Sequence, residues 1–191
     1  MKFKKHLLLA TSLVITFLLS GCASAPSHLI ISPEIISQGN KLSNNKQASL
    51  NIVDMRTANH IIQILREGEA ATLISAQDRL EDTINKSLSK HWQQQGLSIE
   101  NNAINSIVIT IEKAQINVEQ TLLKYQAESE IVLKVAVNNS LQTLTSTFTN
   151  RGNSNGPLKA DIAVLERNFN QRLANLLTQI LVNKKINQFL K

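Results

Sequence analysis

The side chains that most often do chemistry are few in this 191-residue chain and badly spaced for it. Nucleophilic catalysis needs a hydroxyl or thiol with a base beside it. Beyond the amino terminus the histidines are His28, His60 and His91, about thirty residues apart, and no G-x-S-x-G elbow occurs. The same spacing argues against a zinc site, which needs several His, Cys or carboxylate ligands close together. His91 lies next to Trp92 on an apolar stripe and reads as a packed or surface histidine. Asp78, Glu81 and Asp82 form a carboxylate cluster, but the positive end of a helix dipole accounts for them, and Asp82 with Lys86 is an ordinary i,i+4 pair. Asp54 and Arg56, two apart on a predicted strand, share a face and read as structural salt-bridge residues reaching a neighbouring strand or loop. Gly152-Asn153-Ser154-Asn155-Gly156 lacks the Lys-Ser/Thr of a phosphate loop and reads as a flexible, partner-facing loop. The expectation is no catalytic residue, no metal and no cofactor.

One residue remains, the single cysteine, Cys22. Lys2, Lys4 and Lys5 open the chain, an apolar run follows from Leu7 to Leu19, and Ser20-Gly21 precedes Cys22. Basic start, apolar core and small residues are the order of a secretory signal peptide. A run of 13 residues falls short of the ~20 a spanning helix needs. Leu19-Ser20-Gly21-Cys22 resembles the lipobox of bacterial lipoproteins. That resemblance implies cleavage before Cys22, a thioether-linked diacylglycerol on its sulfur and an acylated amine. It divides the chain into a signal peptide (1–21), a lipidated tether (22–28) and one periplasmic domain (29–191). Ala23, rather than Asp, follows the cysteine, which by the sorting rule of enterobacteria-like envelopes implies the outer membrane.

Loss of residues 1–21 removes three lysines from a formal charge of +6, so the mature chain carries +3. A balance that small, with both signs interspersed, is no footprint for nucleic acid. No thiol is left for a disulfide, so stability rests on packing. With aromatics reduced to Trp92, Tyr125, Phe148, Phe169 and Phe189, aliphatic residues must fill the core.

The elements can be read in order. Leu29 to Ile36 holds five large aliphatics in eight residues, and Pro33 bars it from a central strand; an edge strand docked on the domain is expected. Residues 48–56 alternate as a strand, His60 to Arg66 is a short strand or helical turn, and Ala70 to Ile74 is extended. Ser75 and Asp78 have capping-box spacing for a helix with stripe Leu80, Ile84, Leu88 and Trp92, stopped at Gly96. Ile107, Ile109 and Ile111 share a face and Ala114, Ile116 and Val118 take the opposite parity, so a bulge is expected near Glu112-Lys113. Tyr125 to Val137 alternates cleanly with one wet face. Asn138-Asn139 suits a hairpin turn, Leu141 to Asn150 a strand, and Gly152 to Pro157 a loop. A long helix starts near Lys159 or Asp161 with stripe Ile162, Leu165, Phe169, Leu173, Leu176 and Ile180, and Ile186, Phe189 and Leu190 form a closing turn. The predicted fold is α+β: a two-layer sandwich of a mainly antiparallel sheet with two amphipathic helices on one face.

The lipobox, Ser32-Pro33-Glu34, Asp54-x-Arg56-Thr57, Ser75-x-x-Asp78-Arg79-Leu80, the helix ending at Gly96, the strands from Ile107 and Tyr125 and the Leu-rich last helix together resemble the YajG-type lipoproteins over nearly the whole chain. At fold level the pattern is also similar to the N-terminal domain of TolB-like and CsgG-like envelope proteins, an analogy only. The family has no established activity. The functional expectation is a non-enzymatic binding or accessory protein of the envelope, held to the membrane through acyl chains on Cys22 and partnered by an envelope protein. The alternative is a carrier of a small apolar ligand or lipid between sheet and helices. An aliphatic pocket of several hundred cubic ångströms marks the carrier; a filled core with an exposed apolar patch marks the interaction protein.

Overall fold

The computed structural model describes residues 27–36, 42 and 46–190. The lipobox residues Leu19, Ser20, Gly21 and Cys22 lie outside them, as does most of the expected loop from Gly39 to Gln47. The described elements are β1 (His28–Leu29), β2 (Lys46–Asp54), β3 (His60–Arg66), β4 (Thr72–Ala76), α1 (Leu80–Gln94), β5 (Leu97–Ile99), β6 (Asn105–Gln120), β7 (Lys124–Asn138), β8 (Thr143–Pro157), α2 (Ile162–Leu181) and α3 (Lys184–Phe189).

β6 is the axis of the sheet. On one side it pairs antiparallel with β7 along its whole length. On the other it takes two partners in turn, both parallel: β2 against Asn105–Ile111 and β3 against Ile116–Gln120. The expected bulge falls where the partner changes, at a register shift between Ile111 and Lys113. The inserted residue restores the inward parity, so Ile107, Ile109, Ile111, Ala114, Ile116 and Val118 are all buried.

The fold is mixed α/β, and the sheet is partly parallel rather than mainly antiparallel as expected. β1 pairs parallel with β4, β2 with β5 and β6, and β3 with β6. The reason is α1. A helix between the β3–β4 hairpin and β6 carries the chain back across the sheet, so β6 starts from the same end as β3. The meander β6-β7-β8 is antiparallel as expected.

The sheet also curls. At the β3 level its order is β1-β4-β3-β6-β7-β8, and six flat strands would set β1 and β8 ~24 Å apart. Yet α2, a helix only ~10 Å wide, bonds to both margins. Asn170 donates to the carbonyl of Ile30 and accepts from the N–H of Ser32, both at 2.9 Å, just past β1. Arg172 donates to Asn150 Oδ1 at 3.2 Å and to the carbonyl of Arg151 at 3.1 Å in β8. The sheet therefore wraps α2, and Phe169, Leu173, Leu176, Leu177 and Ile180 fill the curl with no exposure.

Local expectations are corrected at four places. α1 starts at Leu80 behind Arg79, without a side-chain cap. Ser75, expected to cap it, lies in β4, where it pairs with His28 and His60. The 29–36 segment is a strand only at Leu29; β4 ends at Ala76, Gln77 gives its N–H to the Leu29 carbonyl, and beyond that no strand remains to pair with. The β7–β8 turn is the four residues Asn139–Gln142, with Ser140 at φ 72°, rather than a two-residue Asn-Asn turn. Gly152 to Pro157 is strand, not loop, in register with Lys124–Ser129. α2 begins as expected, with Asp161 accepting from Ala163 N–H. Asn183 caps α3 through Lys185 and Ile186 N–H.

Candidate functional site

Asp54 and Arg56 sit at the junction where β6 changes partner. β2 ends at Asp54, and Met55 donates its N–H to Ile111, the last β6 residue before the bulge. Arg56 Nε and Nη2 fork onto the Asp54 carboxylate at 2.9 and 2.7 Å, and Nη1 reaches the Ala114 carbonyl at 3.4 Å. The pair is largely buried, with side-chain exposures of 8% and 14% for Arg56 and Asp54. Burial raises the Asp54 pKa, but hydrogen bonds from the Arg56 side chain and backbone, with the Arg56 charge, outweigh it and hold the carboxyl below its ordinary value. The two residues thus bond to each other, and the guanidinium also reaches the Ala114 carbonyl beside the bulge. That is a structural pin, and nothing about it aims at a substrate.

Two of the histidines bond within the protein in the same way. His91 Nδ1 is 2.8 Å from the Ser87 carbonyl, and Nε2 is 3.3 Å from the carbonyl of Ile35. It fastens the 29–36 segment to α1. His60 Nε2 takes a hydrogen bond from Gln115 at 3.1 Å, and Gln115 also donates to Gln63. His28, counted with the tether, pairs in β1 with Ser75. Among the described residues no three His, Cys, Asp or Glu are grouped as metal ligands would be. Glu81 faces Arg79; burial raises its pKa, while the Arg79 hydrogen bond and charge bring it below the usual value. Asp78, Glu81 and Asp82 thus carry no shared site.

Two concave regions stand out. On the outer, wet face, Glu130 bridges Lys113 and Arg151 at 2.6 Å each. Hydrogen bonds from both cations hold the Glu130 carboxyl below its ordinary value. The depression around them, about 490 Å³, is lined by Gln115, Asn117, Glu128 and Asn153 as well. The larger groove, about 1040 Å³, runs between the 30–36 segment and α1. One wall is aliphatic, from Ile30, Ile31 and Ile35; the other is charged, from Asp78, Arg79, Asp82, Lys86 and Lys90.

Sequence reasoning missed the side chains that hold the margins of the sheet. Asn170 and Arg172 stand between stripe residues of α2 and look like surface positions. The signal available was Gly152: glycine inside a strand marks a close approach. A Cβ there would lie 2.0 Å from the Arg172 guanidinium.

Fold and site together define a mixed α/β scaffold in which the buried ion pair Asp54–Arg56 and the half-buried His60 and His91 bond within the protein. The chain belongs to the family described as "Uncharacterized lipoprotein", whose model matches residues 33–191. It is 23% identical to the uncharacterized lipoprotein YajG of Escherichia coli K12 over 192 residues, covering 99% of this chain and 97% of that one. The same figures relate it to YajG of E. coli O6:H1. The resemblance to YajG-type lipoproteins is thereby established. Two solved structures share the fold. One is a Xanthomonas campestris protein of the DUF330 family, with 14% identity, TM-score 0.58 and coverage of 83% of this chain and 95% of that one. The other is a putative neuraminyllactose-binding hemagglutinin homolog from Helicobacter pylori, with 12% identity, TM-score 0.51 and coverage of 85% and 96%. No described helix is long and apolar enough to cross a membrane.

Proposed function

We propose that this lipoprotein is a non-enzymatic accessory factor of the bacterial envelope that acts by binding a protein partner. It is held by acyl chains on Cys22 to the periplasmic face of the outer membrane. One observation carries the reading. The interior is filled by aliphatic side chains at near-zero exposure, while Ile104 and Leu141, at the end of the sheet where β6 begins and β7 meets β8, stand out on the surface. That is the pattern of a surface meant to be covered. In this reading the helices and the sheet form two layers, and the sheet's polar outer face is open to the periplasm. The groove beside α1 is the one observation in favour of a carrier. Its charged wall and open form suit it less to an apolar ligand than an enclosed aliphatic cavity would.

The test is threefold. Mass spectrometry of the wild-type protein should find acyl chains on Cys22, Cys22→Ser should accumulate as unprocessed precursor, and fractionation should place the wild type in the outer membrane. Cross-linking in intact envelopes should then trap one protein partner reproducibly. Absence of acyl mass overturns the anchor. A lipid that co-purifies in one-to-one ratio with the domain replaces the accessory reading with the carrier.

A further inference from the structure

We infer that one end of the sheet, carrying Leu122, Leu123 and Leu158, sits in the lipid surface that receives the acyl chains of Cys22; the inference rests on the anchor proposed above. Leu122 and Leu123 are the central residues of the β6–β7 turn, which is closed by the Thr121 N–H on the Lys124 carbonyl at 2.8 Å. Such positions ordinarily hold Asn, Asp or Gly. Here they hold two leucines exposed to 93% and 78%. Leu158, directly after β8, is 63% exposed and donates its N–H to the Leu123 carbonyl at 2.8 Å. It does so at φ 61°, a left-handed conformation that bulky residues rarely adopt. A strained leucine bonded to a turn of leucines points to a use for that cluster.

The charges beside it fit a bilayer surface. Lys124 and Lys159, each next to one of these leucines, are exposed. Lysines flanking apolar residues place their stems along the acyl boundary and their ammonium groups among anionic headgroups. The neighbouring β3–β4 turn carries Glu67 and Glu69, the latter paired with Arg66 at 3.5 Å. That turn limits the depth: the leucine turn enters and the acidic turn stays with the headgroups.

The tether selects this end over the other. β1 runs parallel to β4, β4 antiparallel to β3, and β3 parallel to β6. The chain therefore enters β1 from the end where β6 finishes and Leu122 follows. His28 is level with Ser75, one pair beyond Ile74–Ile62–Ile116. Gln120 is then about 17 Å away along the strands, and Ser106, at the far end, about 30 Å in the opposite direction. The six residue steps from Cys22 to His28 span at most ~20 Å. Cys22 reaches the level of the leucine end and falls short of the Leu141 end.

The experiment uses the full lipidated protein in phosphatidylethanolamine–phosphatidylglycerol vesicles. With Cys22 acylated, Leu123→Cys and Leu141→Cys each introduce the only free thiol, for an environment-sensitive fluorophore. Both positions are exposed turns, so both variants keep the fold. With nitroxide-bearing lipids, the label at 123 should shift to the blue and lose most of its emission, while the label at 141 keeps its own. If Cys22 carries acyl chains, the protein floats with the vesicles and the label at 123 is unquenched, the anchor stands and the inference is overturned; the leucines then face water or a protein. Equal quenching at both positions, or quenching at 141 alone, also overturns it. If mass spectrometry finds no acyl chain on Cys22, the anchor itself fails, and the inference falls with it for that separate reason.

Discussion

The two margins of the sheet are held by different means. At one, β8 keeps fifteen residues in continuous register against β7. At the other, β1 pairs only His28 and Leu29 with β4, and the chain up to Ile36 is retained by side chains: Glu166 accepts from Ile30 N–H, Asn170 brackets Ile30 and Ser32, and His91 meets Ile35. Leu29 and Ile31 are buried beneath, whereas Ile30 and Ile36 stay 61% and 91% exposed. A long ladder tolerates poor strand residues because each added pair rides on its neighbours. A margin with two pairs depends on individual side chains, and so it is the more fragile.

That contrast can be broken most severely at Leu29. Truncating it to Ala should cost about 2–5 kcal/mol, as buried leucines do, measured as a fall in urea midpoint. A loss below 1 kcal/mol would mean that the β1 margin contributes little to the fold. Asn170→Ala comes next, at about 1–3 kcal/mol for two main-chain hydrogen bonds left unmade. Its sharper readout is hydrogen exchange. The amides of Ser32 and its neighbours should lose protection while β8 keeps its own; equal change at both margins would contradict the separation.

Gly152→Ala tests the other margin and should cost less, about 0.5–1.5 kcal/mol. The added methyl displaces only the flexible end of Arg172, so the loss is that of the Arg172 hydrogen bonds to Asn150 and Arg151. In an Arg172→Ala background the same change should be close to neutral, because the two sites act on one contact. A full cost in both backgrounds would show that the backbone, not Arg172, demands glycine.

The smallest effect is the change in acid dependence, and it lies away from both margins. Asp54 has a folded pKa below its ordinary value. Its contribution is therefore present at neutral pH and is lost as pH falls below ~4 through the folded pKa. Asp54→Asn should flatten that acid limb while leaving exchange at residues 30–36 and in β8 unchanged. A variant that keeps the wild-type acid dependence would assign it to other carboxylates, Glu130 first.

Much of this was legible before folding. The alternation from Tyr125 to Val137, the parity change at Glu112-Lys113 and the stripes of α1 and α2 were readable because periodicity is a local property, and each chose its buried face. Direction and partner were not local. Whether β2 and β3 run parallel to β6 depends on where α1 returns the chain. Whether Ser75 caps a helix or joins a strand depends on His28 and His60 lying alongside it. Gly152 to Pro157 became a strand because β7 extends far enough to pair with it, and Leu29 to Ile36 did not because β4 stops at Ala76. The candidate chemistry divides the same way. By itself the sequence marked out Cys22 behind its lipobox and the parted histidines. Only the tertiary structure decided that Arg56 closes on Asp54 over the bulge, that Asn170 and Arg172 draw the two margins onto one helix, and that Leu158 joins Leu122 and Leu123 at the end nearer the tether. Hydrogen-bond partners and curvature come from segments distant in sequence, and no run of residues carries them alone.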